Sequence, residues 1–225
     1  MAGLRARAWV SLAVLTLVLG VVLFGFAGTL RYWHAWVYLL LFVGMSGAIT
    51  LDLMRHDEAL LERRMKGGPT AEPRPLQRVL MLGASAGYFG LLIVPALDFR
   101  FKWSRVPPAI VALGVVLFVL GFGFIARVYR ENTFSSATIG VVEGQRVIST
   151  GPYAIVRHPM YASALVYLLG TPLALGSYWG LLALVFMAPF LLLRLVDEER
   201  MLVHDLPGYE AYRQRVRYRL VPFVW

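Results

Sequence analysis

Apolar residues in this chain gather into long blocks, and polar residues are confined to the short runs between them. Six blocks can be marked, at 8–30, 33–54, 79–97, 107–126, 160–176 and 178–196. The first, Ala8 to Leu30, is an uncharged run of 23 residues. As a helix it is about 34 Å long, enough to cross a hydrocarbon core of about 30 Å. It exceeds a signal-peptide h-region, and Gly28-Thr29-Leu30-Arg31 is a poor cleavage site, so it reads as a retained span. The pattern predicts an all-α integral membrane protein with about six transmembrane segments. The count becomes five if 160–176, which is short and contains Gly170 and Pro172, is re-entrant. Only Gly176-Ser177-Tyr178-Trp179 separates the last two segments, which predicts a helical hairpin.

Two polar stretches carry helical periodicity of their own. Asp57 to Met65 reads as a short amphipathic helix that stops at Gly67-Gly68-Pro69. In the tail, 209–221, Tyr209, Tyr212 and Val216 share one face, and Arg213, Arg215, Arg217 and Arg219 spread over the rest. That pattern predicts a cytoplasmic amphipathic helix at the membrane interface. There is no internal sequence repeat, so an inverted-repeat transporter finds no support.

Composition agrees with the blocks: 59% of residues are hydrophobic and 16% charged. The net charge of +9 does not indicate nucleic acid, because the basic residues lie between apolar blocks and in the tail. They instead set orientation. Arg5, Arg7, the 55–78 loop, the 127–158 loop and the tail fall on one side of six spans, and Arg31, Arg100, Lys102 and Arg105 on the other. The positive-inside rule then makes both termini cytoplasmic. With no cysteine, disulfides, a thiol nucleophile and zinc–cysteine sites are excluded. The four histidines are scattered and show no ligand spacing, so no metal is expected. No Gly-x-Ser-x-Gly elbow accompanies Ser163 and His158, which argues against a serine hydrolase.

Polar groups bracket the last hairpin. Before it stands Gly151-Pro152-Tyr153, then Val156-Arg157-His158-Pro159-Met160-Tyr161; after it come Arg194 and Asp197-Glu198-Glu199. A hairpin brings both groups to one membrane edge. Arginine can clamp a carboxylate, and histidine can donate to a ribose or act as a base. Three acids at a helix C-terminus oppose its dipole and invite a cationic partner, either an ammonium or a sulfonium. The plainer alternatives are interfacial Arg-His contacts with headgroups and a helix simply entering water. Gly121-Phe122-Gly123, late in segment four, either opens room for a flat ligand or lets helices pack closely.

These motifs, with Leu202, Gly208-Tyr209, Tyr212, Arg215-Val216 and Pro222, resemble the isoprenylcysteine carboxyl methyltransferase family. That family shares a membrane superfamily with the phospholipid N-methyltransferases. The resemblance covers about 130–222; the first three spans agree only in hydrophobicity. It implies an S-adenosylmethionine-dependent methyltransferase, releasing S-adenosylhomocysteine, with 1–106 as N-terminal spans and 107–225 as the catalytic region. Arg157, His158 and Tyr161 match the family's Arg-His-Pro cofactor element and its aromatic. Glu199, with Glu198, matches paired glutamates near the methionine ammonium. Gly121 and Gly123 look like the Gly-x-Gly of the phospholipid branch, and Asn132 with Phe134 like the Asn-x-Phe of the carboxyl branch. Arg194 matches an arginine facing the acceptor. Tyr153, Tyr209 and Tyr212 join the cofactor-binding set, while Arg194, Glu198 and Asn132 form the expected catalytic set.

The leading expectation is O-methylation of the carboxylate of a lipophilic, isoprenylcysteine-like acceptor. The alternatives are N- or S-methylation of a phospholipid headgroup or small lipophilic amine or thiol, and a non-catalytic scaffold or transporter. The expected partners are membrane lipids and a lipophilic or lipid-linked acceptor. The expected location is the plasma (inner) membrane of a prokaryote.

Overall fold

The computed structural model of the protein describes residues 2–225, and all regular structure among them is helical. The helices are α1 (Ala2–Ala27), α2 (Trp33–His56), α3 (Glu58–Met65), α4 (Pro75–Phe101), α5 (Pro108–Glu131), α6 (Pro159–Ala174), α7 (Gly180–Asp205) and α8 (Tyr209–Arg215). Local chemistry sets several starts. Pro75, Pro108 and Pro159 stand in the first turns of α4, α5 and α6, where a missing N–H costs nothing. The Asp57 side chain caps α3 by accepting from Leu60 N at 2.8 Å.

Five helices, α1, α2, α4, α5 and α7, are long and apolar enough to cross a membrane. Their outer faces carry bare apolar residues: Val21, Leu40 and Val185 are 63%, 74% and 67% exposed. Such a belt suits lipid, not water. The predicted segment 160–176 becomes α6, whose 16 residues span about 24 Å. It does not turn back. It starts beside Glu199 at one edge of the bundle and ends at the other, where Leu175 O accepts from the Tyr32 hydroxyl at 2.5 Å.

The expected hairpin needs correcting. Residues 175–179 do join α6 to α7, but α6 lies mainly along α5, and α7 mainly along α4. Small residues explain the choice. A Cβ at Gly121 of α5 would stand 2.5 Å from Tyr167 N of α6, and one at Gly170 of α6 would stand 2.6 Å from Gly114 O. The backbones of α5 and α6 therefore touch. The tail helix is also shorter than expected. It ends at Arg215, and Tyr209, Tyr212 and Val216 pack on Val147, Tyr153, Leu202 and Leu206. Its apolar face is spent on protein, not on the membrane interface.

The bundle has two polar edges. At one, Arg5 bonds Glu58 at 2.8 Å, joining the start of α1 to α3, and Arg130 bonds Asp52 at 3.0 Å, joining the end of α5 to α2. The 131–158 segment and the tail lie at this edge too. At the other, the α1–α2 turn, the end of α4 and the α6–α7 link meet, with Asp98 accepting from Ser177 Oγ at 2.5 Å.

Candidate functional site

The site grows from the chain between α5 and α6. Asn132 ends α5; its Oδ1 accepts from Phe134 N at 3.0 Å, turning the chain, and its Nδ2 donates to the Tyr153 hydroxyl at 2.9 Å. The short 3₁₀ turn Gly151–Ala154 presents Tyr153, and Gly151 holds a positive φ of 54° against the Glu131 carboxylate. The Tyr212 hydroxyl then donates to Tyr153 O at 2.7 Å, fastening α8 to the turn.

Beside this turn is a buried ionic knot. Glu199 accepts from Arg157 at 3.2 and 3.3 Å and from Arg219 at 3.1 and 3.3 Å. His158 Nε2 lies 3.1 Å from the same carboxylate. Arg157 Nη1 also donates to Val216 O and Arg217 O, each at 3.0 Å. The Arg157 and His158 backbone amides donate to Tyr218 O and Arg219 O at 2.9 and 3.0 Å. Arg157 and Glu199, expected to take the carboxylate and the ammonium of one cofactor, are instead each other's partners here and anchor the tail.

Above the knot lies a cavity of about 380 Å³, within the range of about 300–1,000 Å³ common for ligand pockets. Its polar part is lined by Asn132, Tyr153, His158, Glu198, Arg146 and Tyr209. Arg157, Tyr161 and Arg194 also contribute. Its apolar part reaches two turns deeper, to Tyr167 on α6 and Leu191 on α7, with Met81 from α4. Glu198 is half-buried; the Tyr161 hydroxyl donates to it at 2.6 Å, and no cation pairs with it among the described residues. The Tyr209 hydroxyl is buried without any hydrogen-bond partner. Burial pushes the pKa values of Tyr153 and Tyr209 up, so both present neutral hydroxyls.

Arg194 lies on the cavity wall, yet its charge is already paired. It donates to Glu72 at 2.5 Å, Gln77 Oε1 at 2.8 Å and Ala137 O at 3.2 Å. Its i+4 neighbour Glu198 is not its partner. Glu72 and Gln77 are completely buried, and Ile139 N donates to Glu72 at 3.3 Å. Asp197 bonds Arg74 at 2.8 Å. Sequence reasoning missed Glu72 and Gln77. A signal existed: Glu72 is the single acid in the basic stretch 63–78, and it sits between prolines.

Most of the expected residues converge on this cavity, but the Gly-x-Gly pair does not line it. Gly121 is filled by the backbone of α6, and Gly123 is exposed with open space where a Cβ would stand. Glu199 and Tyr212 lie behind the wall. No group of three His, Asp or Glu side chains among the described residues is arranged to hold a metal ion.

A family model described as PEMT, phospholipid methyltransferase, matches residues 109–206. The match runs from the start of α5 past Glu199 and stops before Tyr209. It supports a membrane-associated methyltransferase fold and S-adenosylmethionine-dependent chemistry in general terms. No curated protein matches the chain.

Proposed function

We propose that this chain transfers a methyl group from S-adenosylmethionine to the amine of a lipid-borne acceptor, at the cytoplasmic edge of a six-span bundle. The observation that carries the choice of amine is the engagement of Arg194. Its charge is answered by Glu72, and Gln77 and Ala137 O take two further hydrogen bonds. An anionic acceptor at that depth would meet a guanidinium already paired with Glu72 and would face the Glu198 carboxylate, whereas Arg64 and Arg146, which have no carboxylate partner among the described residues, line the cavity nearer its polar end. An amine meets no such opposition, and the matching family model is the phospholipid one. The amine reading therefore displaces the carboxylate reading that the sequence motifs favoured.

The residues present suit the cofactor. Glu198, an acid without a cationic partner, fits the methionine ammonium. Arg146 at the rim and the orphaned Tyr209 hydroxyl fit the carboxylate, and Asn132 and Tyr153 offer neutral polar contacts. The sulfonium supplies an electrophilic methyl group that needs no acid. The acceptor ammonium must first give a proton to water at the open polar end; its nitrogen lone pair then takes the methyl as the C–S bond breaks and S-adenosylhomocysteine leaves. The protein's work is to align that neutral amine and keep water from the reacting atoms, which the apolar end at Tyr167, Leu191 and Met81 favours. Six crossings, with α6 as the short one, put the basic loops and both termini on one side, and the positive-inside rule makes that side cytoplasmic. A prokaryotic inner membrane suits this arrangement.

The test is product analysis. Purified protein is incubated with methyl-labelled S-adenosylmethionine and extracted membrane lipid, and the labelled lipid is then treated with mild base. The expected outcome is label that stays as a base-stable N-methyl group. Label released as methanol from a methyl ester would restore the carboxylate acceptor.

A further inference from the structure

A second cavity, of about 540 Å³, lies at the edge of the bundle opposite the methyl-transfer site. Three elements build it: the α1–α2 turn at Gly28 and Thr29, the end of α4 with the residues that follow it, and the α6–α7 link at Gly176. Its lining includes Arg100, Lys102 and Arg105. None of the three has a carboxylate partner among the described residues, unlike Arg74, Arg130, Arg157 and Arg194 at the other edge. The one acid in the lining is Asp98. It is buried and accepts from Ser104 N at 2.7 Å, Ser104 Oγ at 2.5 Å and Ser177 Oγ at 2.5 Å. Both of its oxygens accept hydrogen bonds, and three cations against one carboxylate leave the cleft net positive.

The cleft is built, not merely basic. Gly28 has a φ of 69°, and the Arg100 guanidinium lies against it, 3.5 Å from where a Cβ would stand. A Cβ at Gly28 would be in ordinary contact with that guanidinium, and the positive φ is what favours glycine there. Lys102 holds a left-handed φ of 58° that ends α4 and swings the chain around the cleft. His34 lines the same space, and its Nδ1 is buried with no hydrogen-bond partner. The cleft is thus lined by three cations without carboxylate partners and by a histidine whose Nδ1, in the Nδ1–H tautomer, would add a hydrogen-bond donor for an anion. Exposed Phe101 and Trp103 stack at 5.7 Å on the same rim, at the level where aromatic rings meet lipid headgroups.

We propose that this cleft binds a phosphate group, carried by a phospholipid headgroup of the facing leaflet or free in solution. Arg100 and Arg105 supply planar donors, Lys102 a point charge and His34 a further hydrogen bond. The inference stands apart from the methyl-transfer reading, because it uses none of the same residues.

The experiment is calorimetric titration of the purified protein in non-ionic detergent. One arm uses inorganic phosphate, a second short-chain phosphatidylglycerol. The wild type is compared with R100Q/K102Q/R105Q, and with R215Q/R217Q, which removes exposed charge at the opposite edge. We expect saturable binding by the wild type, a loss of roughly tenfold or more in the cleft variant, and no change in the tail variant. Binding in both arms identifies phosphate itself as the ligand; binding of phosphatidylglycerol alone identifies the headgroup. Absence of binding in both arms, equal affinity in the cleft variant, or a loss confined to the tail variant would overturn the proposal. If the triple variant does not fold, Arg105→Gln alone, at an exposed loop position, should still weaken binding by roughly threefold.

Discussion

Glu198 and Glu199 are chain neighbours with opposite surroundings. Glu199 is buried among Arg157, His158 and Arg219, while Glu198 is half-buried on the cavity wall with one neutral donor, Tyr161. Their mutants should therefore separate binding from folding. Glu198→Gln should lower S-adenosylmethionine affinity roughly 10- to 150-fold, the worth of a charged hydrogen bond of about 1.5–3 kcal/mol, with little change in melting temperature. Glu199→Gln strands buried cations and should cost about 3–5 kcal/mol of stability. Calorimetric titration and thermal melting on the same detergent preparations measure both. Equal effects of the two mutants on both readouts would remove the distinction. The sequence marked both acids as special because its apolar block ended at 196 and set three carboxylates at a helix C-terminus; α7 instead runs on to Asp205, so the acids lie within the helix and the dipole argument does not apply. The sequence did not reveal which cation each would meet. Helical spacing offered Glu198 to Arg194, but Glu72, from a loop 122 residues earlier in the chain, took that guanidinium. Long-range ion pairs leave no local periodicity to read.

Helix packing decides what the Gly-x-Gly does. Gly121 lies where the backbones of α5 and α6 touch, and Gly123 faces open space. Gly121→Ala should destabilise by about 1–3 kcal/mol through overpacking. Gly123→Ala should be neutral or stabilising by up to about 1 kcal/mol, since alanine is the better helix former. Melting temperatures of the two variants check this. Losses of cofactor affinity in both, at unchanged stability, would return the pair to the binding site. At this scale the sequence was most legible where length alone decides: the five long apolar helices coincide with five of the six marked blocks. It was least legible in partner choice. A short loop from α6 to α7 implies closeness along the chain, but the small residues at Gly114, Gly121 and Gly170 draw α6 onto α5 instead. The tail's apolar stripe was visible too. Whether protein or lipid covers such a stripe depends on what folds above it.

The C-terminal half is held as a unit because the tail is locked to it, and the lock is Arg157. One guanidinium joins the Glu199 carboxylate on α7 to the carbonyls of Val216 and Arg217 just past α8. The tail in turn supplies Tyr209 to the cavity wall. Arg157→Ala leaves Glu199 with His158 and Arg219, so the bundle keeps its ionic knot in part. The carbonyls, however, lose their donor, and the tail should open more often. With about 1.5–3 kcal/mol lost, the open population rises roughly 10- to 150-fold, and proteolysis follows that population when closing is fast. Limited trypsin digestion reads it directly. Cuts after Arg213, Arg215 and Arg217 should accelerate, while cuts at the end of α3, after Arg63, Arg64 and Lys66, serve as the internal reference. Cofactor affinity should fall in step, because an open tail carries Tyr209 away from the cavity. If tail cleavage stays at the wild-type rate while affinity drops, Arg157 acts on the cofactor itself and the tail is held by its other contacts. If both stay unchanged, the lock resides in the backbone bonds to Tyr218 and Arg219 alone.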